Sequence, residues 1–434
     1  MIQNIDLRGL QLSPAELLAA VPRAATDVSA ASEIAAELIA DVRARGEVAL
    51  LDQAERLDRV RPEAVRVPAE HVDQAVAALD PAVRRAIEET IRRVRRASAA
   101  QVPPAVTTTL ADGATILQRW QPIGRVGLYV PGGKAVYPSS VVMNVVPAQV
   151  AGVGSIALAS PPQNAFDGRV HPTILAVAGL LGIAEIYAMG GAGAVAALAY
   201  GVPAIGLDPV QLVTGPGNVY VAAAKRLIRG QAGIDAEAGP TDILVIADAA
   251  ADPSLIAADL VSQAEHDELA AAVLVTDSAD LAVAVEEKLG ELAESTAHSG
   301  RVTAALGGTQ SAIVLVDDLG VAAAFSNAFG PEHLEIQTSE PETTLVLIEN
   351  AGAIFLGPNS PVSLGDYAAG SNHVLPTGGQ ARFSAGLGAS TFLRSQQIVS
   401  YSREALREVA DHIAALSTAE ALPAHGDAVA ARFA

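Results

Sequence analysis

The sequence contains no cysteine and no long apolar segment, and both absences exclude classes of protein. Its 434 residues offer no partner for a disulfide bond, no thiolate ligand for zinc and no cysteine nucleophile. Any bound metal must therefore be held by histidine, carboxylate or amide groups. No uninterrupted apolar run approaches the roughly 18 residues of a membrane span, and the N-terminus lacks the basic and apolar regions of a signal peptide. We therefore expect a cytoplasmic protein without a membrane partner.

Basic residues are also scarce. Lysine occurs only at Lys134, Lys225 and Lys288, and the formal net charge is -20. Such a field repels nucleic acid and anionic lipid, so neither is expected as a partner. The lysine shortage accompanies an excess of alanine and indicates a bias of genomic composition. Half of the residues are apolar and only 18% are charged, which excludes a disordered chain.

Strand and helix patterns divide the chain into regions. Helical periodicity dominates the first hundred residues, Asp112-Gly113 then predicts a hairpin, and from about Arg125 strands and helices alternate. Gly239-Pro240 marks a break before a second alternating series. Such alternation predicts an α/β fold with parallel sheets, and two similar modules usually bracket a cleft. The segment beyond about residue 386 is too small to be an independent domain.

Two potential metal ligands lie near each other in a predicted helix. Gln263 and His266 are three residues apart near the end of a helix predicted over residues 252–269, so they would share one helix face. A metal would need about two more ligands, and Asp366 and His425 are available elsewhere in the chain. Taken alone, the pair is more typical of a solvated helix face.

A second polar pair suggests acid–base chemistry. Glu332 and His333 follow Gly330-Pro331, whose irregular backbone could turn both side chains into a cleft. Histidine can transfer protons near neutral pH, and an adjacent carboxylate can activate a water molecule. An exposed polar loop is the simpler interpretation of this pair alone. A functional role is also expected for the long polar loop over residues 359–379.

Glycine-rich loops suggest a nucleotide site. Residues 191–196, G-A-G-A-V-A, match the dinucleotide fingerprint G-x-G-x-x-A, with Asp208 lying 17 residues beyond Gly191. Tight packing of a helix on a sheet explains such glycines equally well. Gly215–Asn218 stands between a predicted strand and helix, where free backbone N–H groups suit a phosphate. Tyr129 could stack on a ring or serve as a buried anchor.

Six longer motifs follow one another along the chain. They are Y-V-P-G-G at Tyr129–Gly133, G-P-G-N at Gly215–Asn218, D-x-x-A-G-P at Asp235–Pro240, S-Q-A-E-H-D at Ser262–Asp267, P-E-H-L-E at Pro331–Glu335 and G-D-Y-A-x-G-x-N-H-V-L-P-T at Gly365–Thr377. In this order they resemble the histidinol dehydrogenase family, and the resemblance extends to Ala419–His425 near the C-terminus. It implies an enzyme that oxidises L-histidinol to L-histidine through an aldehyde, in two NAD-dependent steps, with one zinc ion per active site.

The resemblance implies a role for each matching residue. The zinc ligands, which also contact the substrate, would be Gln263, His266, Asp366 and His425. His333 would take the alcohol proton and Glu332 would activate the water that hydrates the aldehyde. Further substrate contacts would be Thr241, where the family often has serine, Glu420 and His333. Tyr129 and Asn218 match dinucleotide contacts, and His373 would line the same pocket without an assigned step.

The resemblance also implies the architecture. Family members have two incomplete Rossmann-like parallel-sheet domains, and they form homodimers that exchange small terminal segments, so that Glu420 and His425 would reach the partner's active site. For this chain we expect an N-terminal arm over 1–28 and a first α/β domain over 29–125 plus 240–385, which carries the zinc and catalytic residues. A second domain over 126–239 would lie on the NAD side, and residues 386–434 would form a C-terminal dimerisation segment.

One position departs from the family pattern. Gly193 stands where the family usually has a glutamine that contacts NAD, and glycine cannot form a side-chain hydrogen bond. Losing one such contact typically costs about 0.5 to 1.5 kcal/mol. We therefore expect weakened NAD binding and leave Gly193 out of the cofactor site.

Three alternatives remain open at this point. A related dehydrogenase could act on another small polar alcohol, such as a sulfonated diol, although Glu420 and His425 favour histidinol. A metal-dependent hydrolase could use the same zinc and the water activated by Glu332 without NAD. A catalytically silent, metal-stabilised binding protein fits least, because every expected catalytic residue is present.

Overall fold

The computed structural model describes residues 2–23, 28–132, 136–237 and 239–434. Gly133 of the Y-V-P-G-G motif, Lys134, Ala238 of the D-x-x-A-G-P motif and residues 24–27 of the predicted N-terminal arm lie outside the described residues.

The N-terminal half is mainly helical up to about residue 100, and strands and helices alternate from Arg125 onward. Residues 3–122 form β1 (Gln3–Asp6), α1 (Pro14–Ala20), α2 (Val28–Arg45), α3 (Glu47–Gln53), a π-helical turn (Ala54–Asp58), α4 (Ala69–Ala78), α5 (Pro81–Ala100), β2 (Val106–Ala111) and β3 (Ala114–Pro122). Residues 125–234 form β4 (Arg125–Tyr129), α6 (Pro138–Ala151), β5 (Ser155–Ser160), α7 (Pro172–Leu180), β6 (Ile186–Ala188), α8 (Gly191–Tyr200), β7 (Leu212–Thr214), α9 (Val219–Leu227) and β8 (Gly233–Ile234).

The second alternating series begins immediately after Gly239-Pro240. It consists of β9 (Asp242–Ala247), α10 (Pro253–Ala264), β10 (Ala271–Thr276), α11 (Ala279–Ser295), α12 (Ser299–Leu306), β11 (Ala312–Leu315), α13 (Leu319–Phe329), β12 (His333–Gln337), α14 (Pro341–Leu345), β13 (Ala353–Leu356) and α15 (Val362–Tyr367). The C-terminal segment contains β14 (Leu393–Tyr401), α16 (Arg403–Ala419) and α17 (Pro423–Ala430). Short 3₁₀ turns lie at Asn164–Phe166, Pro203–Ile205, Gln380–Arg382 and Ala389–Phe392.

The two large sheets are parallel and share one strand order. The first has the order β6-β5-β4-β7-β8, and the second has the order β1-β11-β10-β9-β12-β13. Numbered within each series, and with β1 set aside as an added edge strand, both sheets run 3-2-1-4-5. This is the Rossmann order without its sixth strand. The predicted α/β class with two incomplete Rossmann-like sheets is confirmed.

The central strands are continuous apolar runs because both faces of each sheet are covered. Every residue of β9 and β10 is buried. Alternate residues of β9 belong to different cores: Ile243 and Val245 pack on the side of α10 and α11, whereas Leu244 and Ile246 pack on the side of α13. Strands buried in this way lose the polar alternation of a half-exposed strand.

Two predicted regions pack differently from expectation. Gln3–Asp6 is not part of a free arm, because it pairs with β11 as a parallel edge strand. Residues 29–125 were assigned to the domain of 240–385, but α2 and α3 pack with α8 and α9 in one core, and α4 and α5 pack with α6 and α7 in another. Both cores cover the five-stranded sheet. The apolar face of a helix is visible in the sequence, but the surface that it covers is set by the tertiary fold.

The C-terminal segment projects from this body. The predicted hairpin at Asp112-Gly113 is confirmed, and β14 extends it into a three-stranded antiparallel sheet with the order β14-β3-β2. Beyond this sheet, α16 and α17 pack mainly on each other, and Leu416 and Leu422 on them are exposed. No helix within the described part of the chain has the length and apolar character needed to cross a membrane.

Candidate functional site

The amino ends of two adjacent strands bring the polar site residues together. β9 and β12 are parallel neighbours, and His333 at the start of β12 lies in register with Ile243. Thr241 immediately precedes β9 and Glu332 immediately precedes β12, so their side chains lie at the same sheet edge. α10 follows β9 and runs back along the sheet, which places Gln263 near its C-terminus at this edge too.

A chain of hydrogen bonds connects Gln263 to Glu332. The Gln263 Nε2 donates to Thr241 Oγ1 at 2.6 Å, and Thr241 Oγ1 donates to Glu332 Oε2 at 2.5 Å. The backbone N–H of Asp242 donates to the same carboxylate oxygen at 3.1 Å. Gln263 and Glu332 are only 2% and 6% exposed. Because Nε2 is engaged with threonine, the Oε1 atom of Gln263 is the atom left to act as a ligand.

Hydrogen bonding also fixes the tautomer of His333. Its Nδ1 lies 3.0 Å from the carbonyl oxygen of Asp242, which can only accept, so Nδ1 carries the proton. The Nε2 of the neutral ring then presents a lone pair. His333 is 5% exposed, and burial lowers the pKa of its imidazole, which keeps the ring neutral near pH 7. The side chain is therefore arranged to accept a proton at Nε2.

Asp242 supports both catalytic candidates, and the sequence analysis did not identify it. Its Oδ1 accepts the backbone N–H of Glu332 at 2.7 Å, and its Oδ2 accepts that of Gly378 at 3.2 Å. Burial and the nearby Glu332 carboxyl raise the pKa of Asp242 to about 7. Its sequence signal was an acidic residue at the head of the apolar run D-I-L-V-I-A. A charged residue in such a position needs compensating partners.

The carboxyl group of Glu332 is poised to titrate near working pH. Burial is the main cause that raises its pKa to about 8, while the hydrogen bond from Thr241 acts in the opposite direction. A carboxyl group with such a pKa is a stronger base than an exposed one. The Nδ1 atom of the neighbouring His333 lies 3.6 Å from the Oε2 atom of Glu332.

Three of the four metal-ligand candidates approach one another within the chain. α10 ends at Ala264, so His266 lies in the turn that follows and does not share a helix face with Gln263, contrary to the prediction. The backbone N–H of His266 donates to Gln263 O at 3.2 Å, which keeps the two residues close. Burial lowers the pKa of His266, while the nearby carboxylate of Asp366 raises it. A neutral imidazole is the form that binds a metal.

The remaining candidates, Glu420 and His425, lie elsewhere. Both are exposed, Glu420 at the end of α16 and His425 in the first turn of α17. Among the described residues of one chain, no three histidine, aspartate or glutamate side chains are grouped so that they could hold a metal. The fold of a single chain therefore does not bring His425 to His266 and Asp366.

The predicted cofactor residues lie at the carboxyl edge of the five-stranded sheet. Tyr129 ends β4, and Asn218 follows the neighbouring strand β7 as the N-cap of α9. Tyr129 is buried, and its hydroxyl accepts the backbone N–H of Gly191 at 3.2 Å. The Oδ1 of Asn218 accepts the N–H groups of Tyr220 and Val221. Tyr129 is thus a buried anchor as well as a cofactor candidate.

The segment 359–379 connects the two edges, and it is not a loop throughout as predicted, because Val362–Tyr367 forms α15. The Nδ1 of His373 lies 2.9 Å from the carbonyl oxygen of Asp366, and its Nε2 lies 2.9 Å from the hydroxyl of Ser140 in the first turn of α6. The adjacent Asn372 donates from its side chain to the carbonyl oxygen of Met143 at 2.6 Å. The amino edge of one sheet and the carboxyl edge of the other are therefore linked by hydrogen bonds through this segment.

Comparison with known proteins decides the family. The sequence profile of histidinol dehydrogenase matches residues 21–433. The histidinol dehydrogenase of Leifsonia xyli is 66% identical over 432 residues, which cover 100% of this chain and 99% of the relative. The chain belongs to the histidinol dehydrogenase family. Its members are oxidoreductases of histidine biosynthesis, and the family predicted from the motifs is confirmed.

Other histidinol dehydrogenases agree along the whole chain. The protein of Mycobacterium tuberculosis is 56% identical over 436 residues, covering 100% of this chain and 98% of the relative. The crystal structure of histidinol dehydrogenase from Elizabethkingia anophelis superposes with a TM-score of 0.93 at 30% identity and covers 100% of this chain and 98% of its own. The overall fold of this chain is therefore that of the family.

The structure gives a physical reason for Gly193, the departure from the family's usual glutamine. A Cβ atom at this position would lie 2.3 Å from the Oε1 of Gln53, which occupies the space of a side chain. Gln53 is 6% exposed and its Nε2 donates to Leu38 O at 3.2 Å. Its Oε1 is buried without a hydrogen-bond partner. Any larger residue at position 193 must displace the side chain of Gln53. The residue that fits at position 193 therefore depends on how the end of α3 is packed.

Proposed function

We propose that this protein oxidises L-histidinol to L-histidine in two successive NAD-dependent steps through the aldehyde, using one zinc ion per active site. The single observation that carries this proposal is the convergence of Gln263, Thr241, Glu332 and His333 at one sheet edge, linked by hydrogen bonds that leave one oxygen, one carboxylate and one basic nitrogen available. These groups supply metal binding, water activation and proton abstraction respectively.

His333 acts as the base for the alcohol. Its Nδ1 is committed to the carbonyl oxygen of Asp242, and its neutral ring can therefore take the hydroxyl proton at Nε2. Once it has released the first proton, the same nitrogen takes the hydroxyl proton of the hydrated aldehyde in the second oxidation. Burial supports this role, because a neutral imidazole in a desolvated site retains its lone pair near neutral pH.

Glu332 activates the water that hydrates the aldehyde. One of its carboxyl oxygens accepts from Thr241 and Asp242, which holds the group in place and leaves the other oxygen to take a proton. Because the pKa is raised to about 8, a substantial part of the carboxyl is protonated at neutral pH, and the carboxylate that forms is a strong base for a carboxyl group.

The residues fit zinc by their donor chemistry. Gln263 offers Oε1, His266 a neutral imidazole and Asp366 a carboxylate, an oxygen and nitrogen set suited to zinc without cysteine. Bound zinc would position the substrate through its amino and imidazole nitrogens, and bound NAD would accept the hydride. The fourth ligand, His425, is absent from this group within one chain.

A homodimer with shared active sites would complete the zinc site. The exposed C-terminal helices carry Glu420 and His425, and α16 and α17 make few contacts with the body of their own chain. Exchange of these segments would place both residues at the partner's sheet edge, where Glu420 would contact substrate. The cytoplasmic location expected from the sequence remains a prediction.

The cofactor would lie at the carboxyl edge of the five-stranded sheet. Tyr129 ends β4 and Asn218 follows the neighbouring strand β7, at the point where the strand order reverses, which is where parallel α/β sheets bind nucleotides. The loop with His373 would then keep NAD and the zinc-side residues on facing walls of one cleft.

The decisive experiment follows NADH formation by purified, zinc-loaded protein given L-histidinol, with histidine quantified at completion. We expect two NADH per histidine, because the alcohol and the aldehyde are each oxidised once. Histidine formation without NADH would indicate a different oxidant. No turnover of histidinol by protein that demonstrably binds zinc would overturn the substrate assignment and direct the search to other polar alcohols.

A further inference from the structure

A buried lysine stands out in a chain that otherwise uses arginine. Of the three lysines, Lys225 on α9 is 2% exposed, whereas the side chain of Lys288 on α11 is 41% exposed and pairs with Glu291. A chain biased toward arginine would be expected to carry arginine at position 225 as well. Its lysine indicates a site that requires a compact ammonium group.

Lys225 and Asp235 hold both backbone polar groups of one residue, Gly215. The Lys225 Nζ donates to the carbonyl oxygen of Gly215 at 3.0 Å, and Asp235 Oδ2 accepts the N–H of Gly215 at 2.8 Å. The ammonium and the carboxylate also contact each other directly, and both are buried. The two charged groups thus fix Gly215 from both sides.

Gly215 has to be fixed because it lies against β4. Its φ is +116°, and a Cβ atom there would lie 1.9 Å from the carbonyl oxygen of Tyr129. The glycine opens the loop Gly215-Pro216-Gly217-Asn218 and follows β7. The position of this loop relative to Tyr129 therefore depends on how the Gly215 peptide is oriented.

We propose that Lys225 and Asp235 are positioning residues for the dinucleotide: they hold the Gly215–Asn218 loop and Tyr129 in the arrangement that binds NAD. This inference rests on the proposed function, since it assigns a task within the same cofactor site. Neither charged group touches the cofactor in this arrangement. Each acts through the backbone of Gly215, which follows β7 and lies against the end of β4.

The ion pair of Lys225 and Asp235 does more than stabilise the fold. A buried ion pair contributes little net stability compared with apolar residues of the same size, because both charges lose their hydration. A specific geometry is what such a pair supplies well. Here it fixes the two consecutive peptide groups that meet at Gly215, at the carboxyl edge of the sheet.

The test compares Lys225→Met with the matched control Lys288→Met in the full-length, zinc-loaded protein. We would measure the dissociation constant of NADH by its fluorescence, the KM values for NAD and L-histidinol, and the zinc content. Loss of a buried hydrogen bond from a charged group predicts at least roughly ten-fold weaker NADH binding and a similar rise in the KM for NAD. The KM for L-histidinol and the zinc content should change less than about two-fold. Lys288→Met should match the wild type.

A second variant covers the case in which an unpaired buried carboxylate unfolds Lys225→Met. Lys225→Met/Asp235→Asn removes both charges and leaves no ion without a partner, and it should still show the selective loss of NADH affinity. A folded variant that binds NADH as tightly as the wild type would overturn the inference. Parallel loss of NADH binding, zinc and structure in both variants would also overturn it, because that is the result of a role in folding alone.

Wild-type measurements separate this inference from the proposed function. If the wild type neither binds NADH nor reduces NAD with L-histidinol, the proposed function fails. If the wild type does both and Lys225→Met in folded form does both equally well, only the positioning role fails.

Discussion

The two parallel sheets share a strand order but carry their candidate site residues at opposite edges. In the six-stranded sheet the candidate residues lie at the amino ends of β9 and β12, where Thr241, Glu332 and His333 are buried or half-buried. In the five-stranded sheet they lie at the carboxyl ends of β4 and β7, where Tyr129 and Asn218 flank glycine-rich loops. One edge therefore carries ionisable side chains, and the other carries glycine-rich loops and the buried Tyr129.

This difference shows how one topology can serve two tasks. Crossover helices begin near the carboxyl edge of a parallel sheet, so free N–H groups collect there and suit a dinucleotide. At the amino edge the helices end and the strands begin, and Asp242 and Glu332 satisfy each other's backbone and side-chain groups. The role proposed for each sheet therefore follows from the residues at its edge and not from its fold.

The largest effect is expected at the amino edge of the six-stranded sheet. His333→Ala should lower kcat by roughly 10²- to 10⁴-fold, because it removes the general base. NADH binding and zinc content should stay at wild-type values, since neither site loses a contact. Steady-state NADH formation from L-histidinol measures the effect. The exposed His298 provides the matched control, and equal kcat loss in His298→Ala or full activity in His333→Ala would contradict the assignment.

Variants of the C-terminal segment test whether one chain alone completes the zinc site at the amino edge of the six-stranded sheet. His425→Ala should weaken zinc binding by at least roughly ten-fold, because it removes a ligand. Mixed dimers of His425→Ala and His333→Ala should regain activity that neither variant has alone, since one of their two sites combines an intact edge with an intact C-terminal segment. Up to about a quarter of wild-type activity is expected for random mixing. Mixtures as inactive as their parents would argue against shared sites.

A smaller effect is expected at the carboxyl edge of the five-stranded sheet. Gly193→Gln alone should not improve NADH affinity, because its side chain has to displace the buried Gln53. Gly193→Gln/Gln53→Ala opens that space and should tighten NADH binding by roughly two- to ten-fold through one added hydrogen bond. Titration of NADH fluorescence measures both variants, with Gln53→Ala as the control. Equal affinity of the double variant and Gln53→Ala would show that position 193 does not face the cofactor.

The smallest effect is expected at Glu335, a buried carboxyl group in the six-stranded sheet. Glu335 on β12 accepts the backbone N–H of Val362 at 2.9 Å and lies within hydrogen-bonding reach of Asp259 on α10. Burial raises its pKa from 4.5 in the unfolded chain to about 8. Its neutral form is favoured in the folded state, so its contribution to stability is complete below pH 4.5 and is lost as the pH rises toward 8.

Glu335→Gln stays neutral and should therefore flatten the dependence of Tm on pH. Between pH 5.5 and 8 the wild type should lose more Tm than the variant, by roughly 1 °C per kcal/mol of difference in a chain of this length. Differential scanning calorimetry at the two pH values measures this, and the exposed Glu340→Gln should follow the wild type. An equal decline in Glu335→Gln and the wild type would show that the carboxyl group is already charged in the folded protein.

Much of the fold was predictable because its signals are local. The apolar run of β9, the Asp112-Gly113 turn and the alternation from Arg125 onward each lie within a short window, and all are confirmed. α6 was not predicted, because Pro138–Ala151 is apolar on nearly all sides and shows no helical period. Likewise, the helix before His266 ends earlier than its composition suggested.

The sequence by itself determined the family and the residues that form the candidate site, because long motifs such as those at Pro331–Glu335 and Gly365–Thr377 occur in the chain regardless of its folding. Only the tertiary structure decided which residues meet. It placed Asp242 beneath Glu332 and His333, set Gln53 against Gly193, and enclosed Gly215 between Lys225 and Asp235. These contacts join residues 10 to 140 positions apart, and no pattern along the chain specifies them, because packing and not sequence distance selects the partners of a buried polar group.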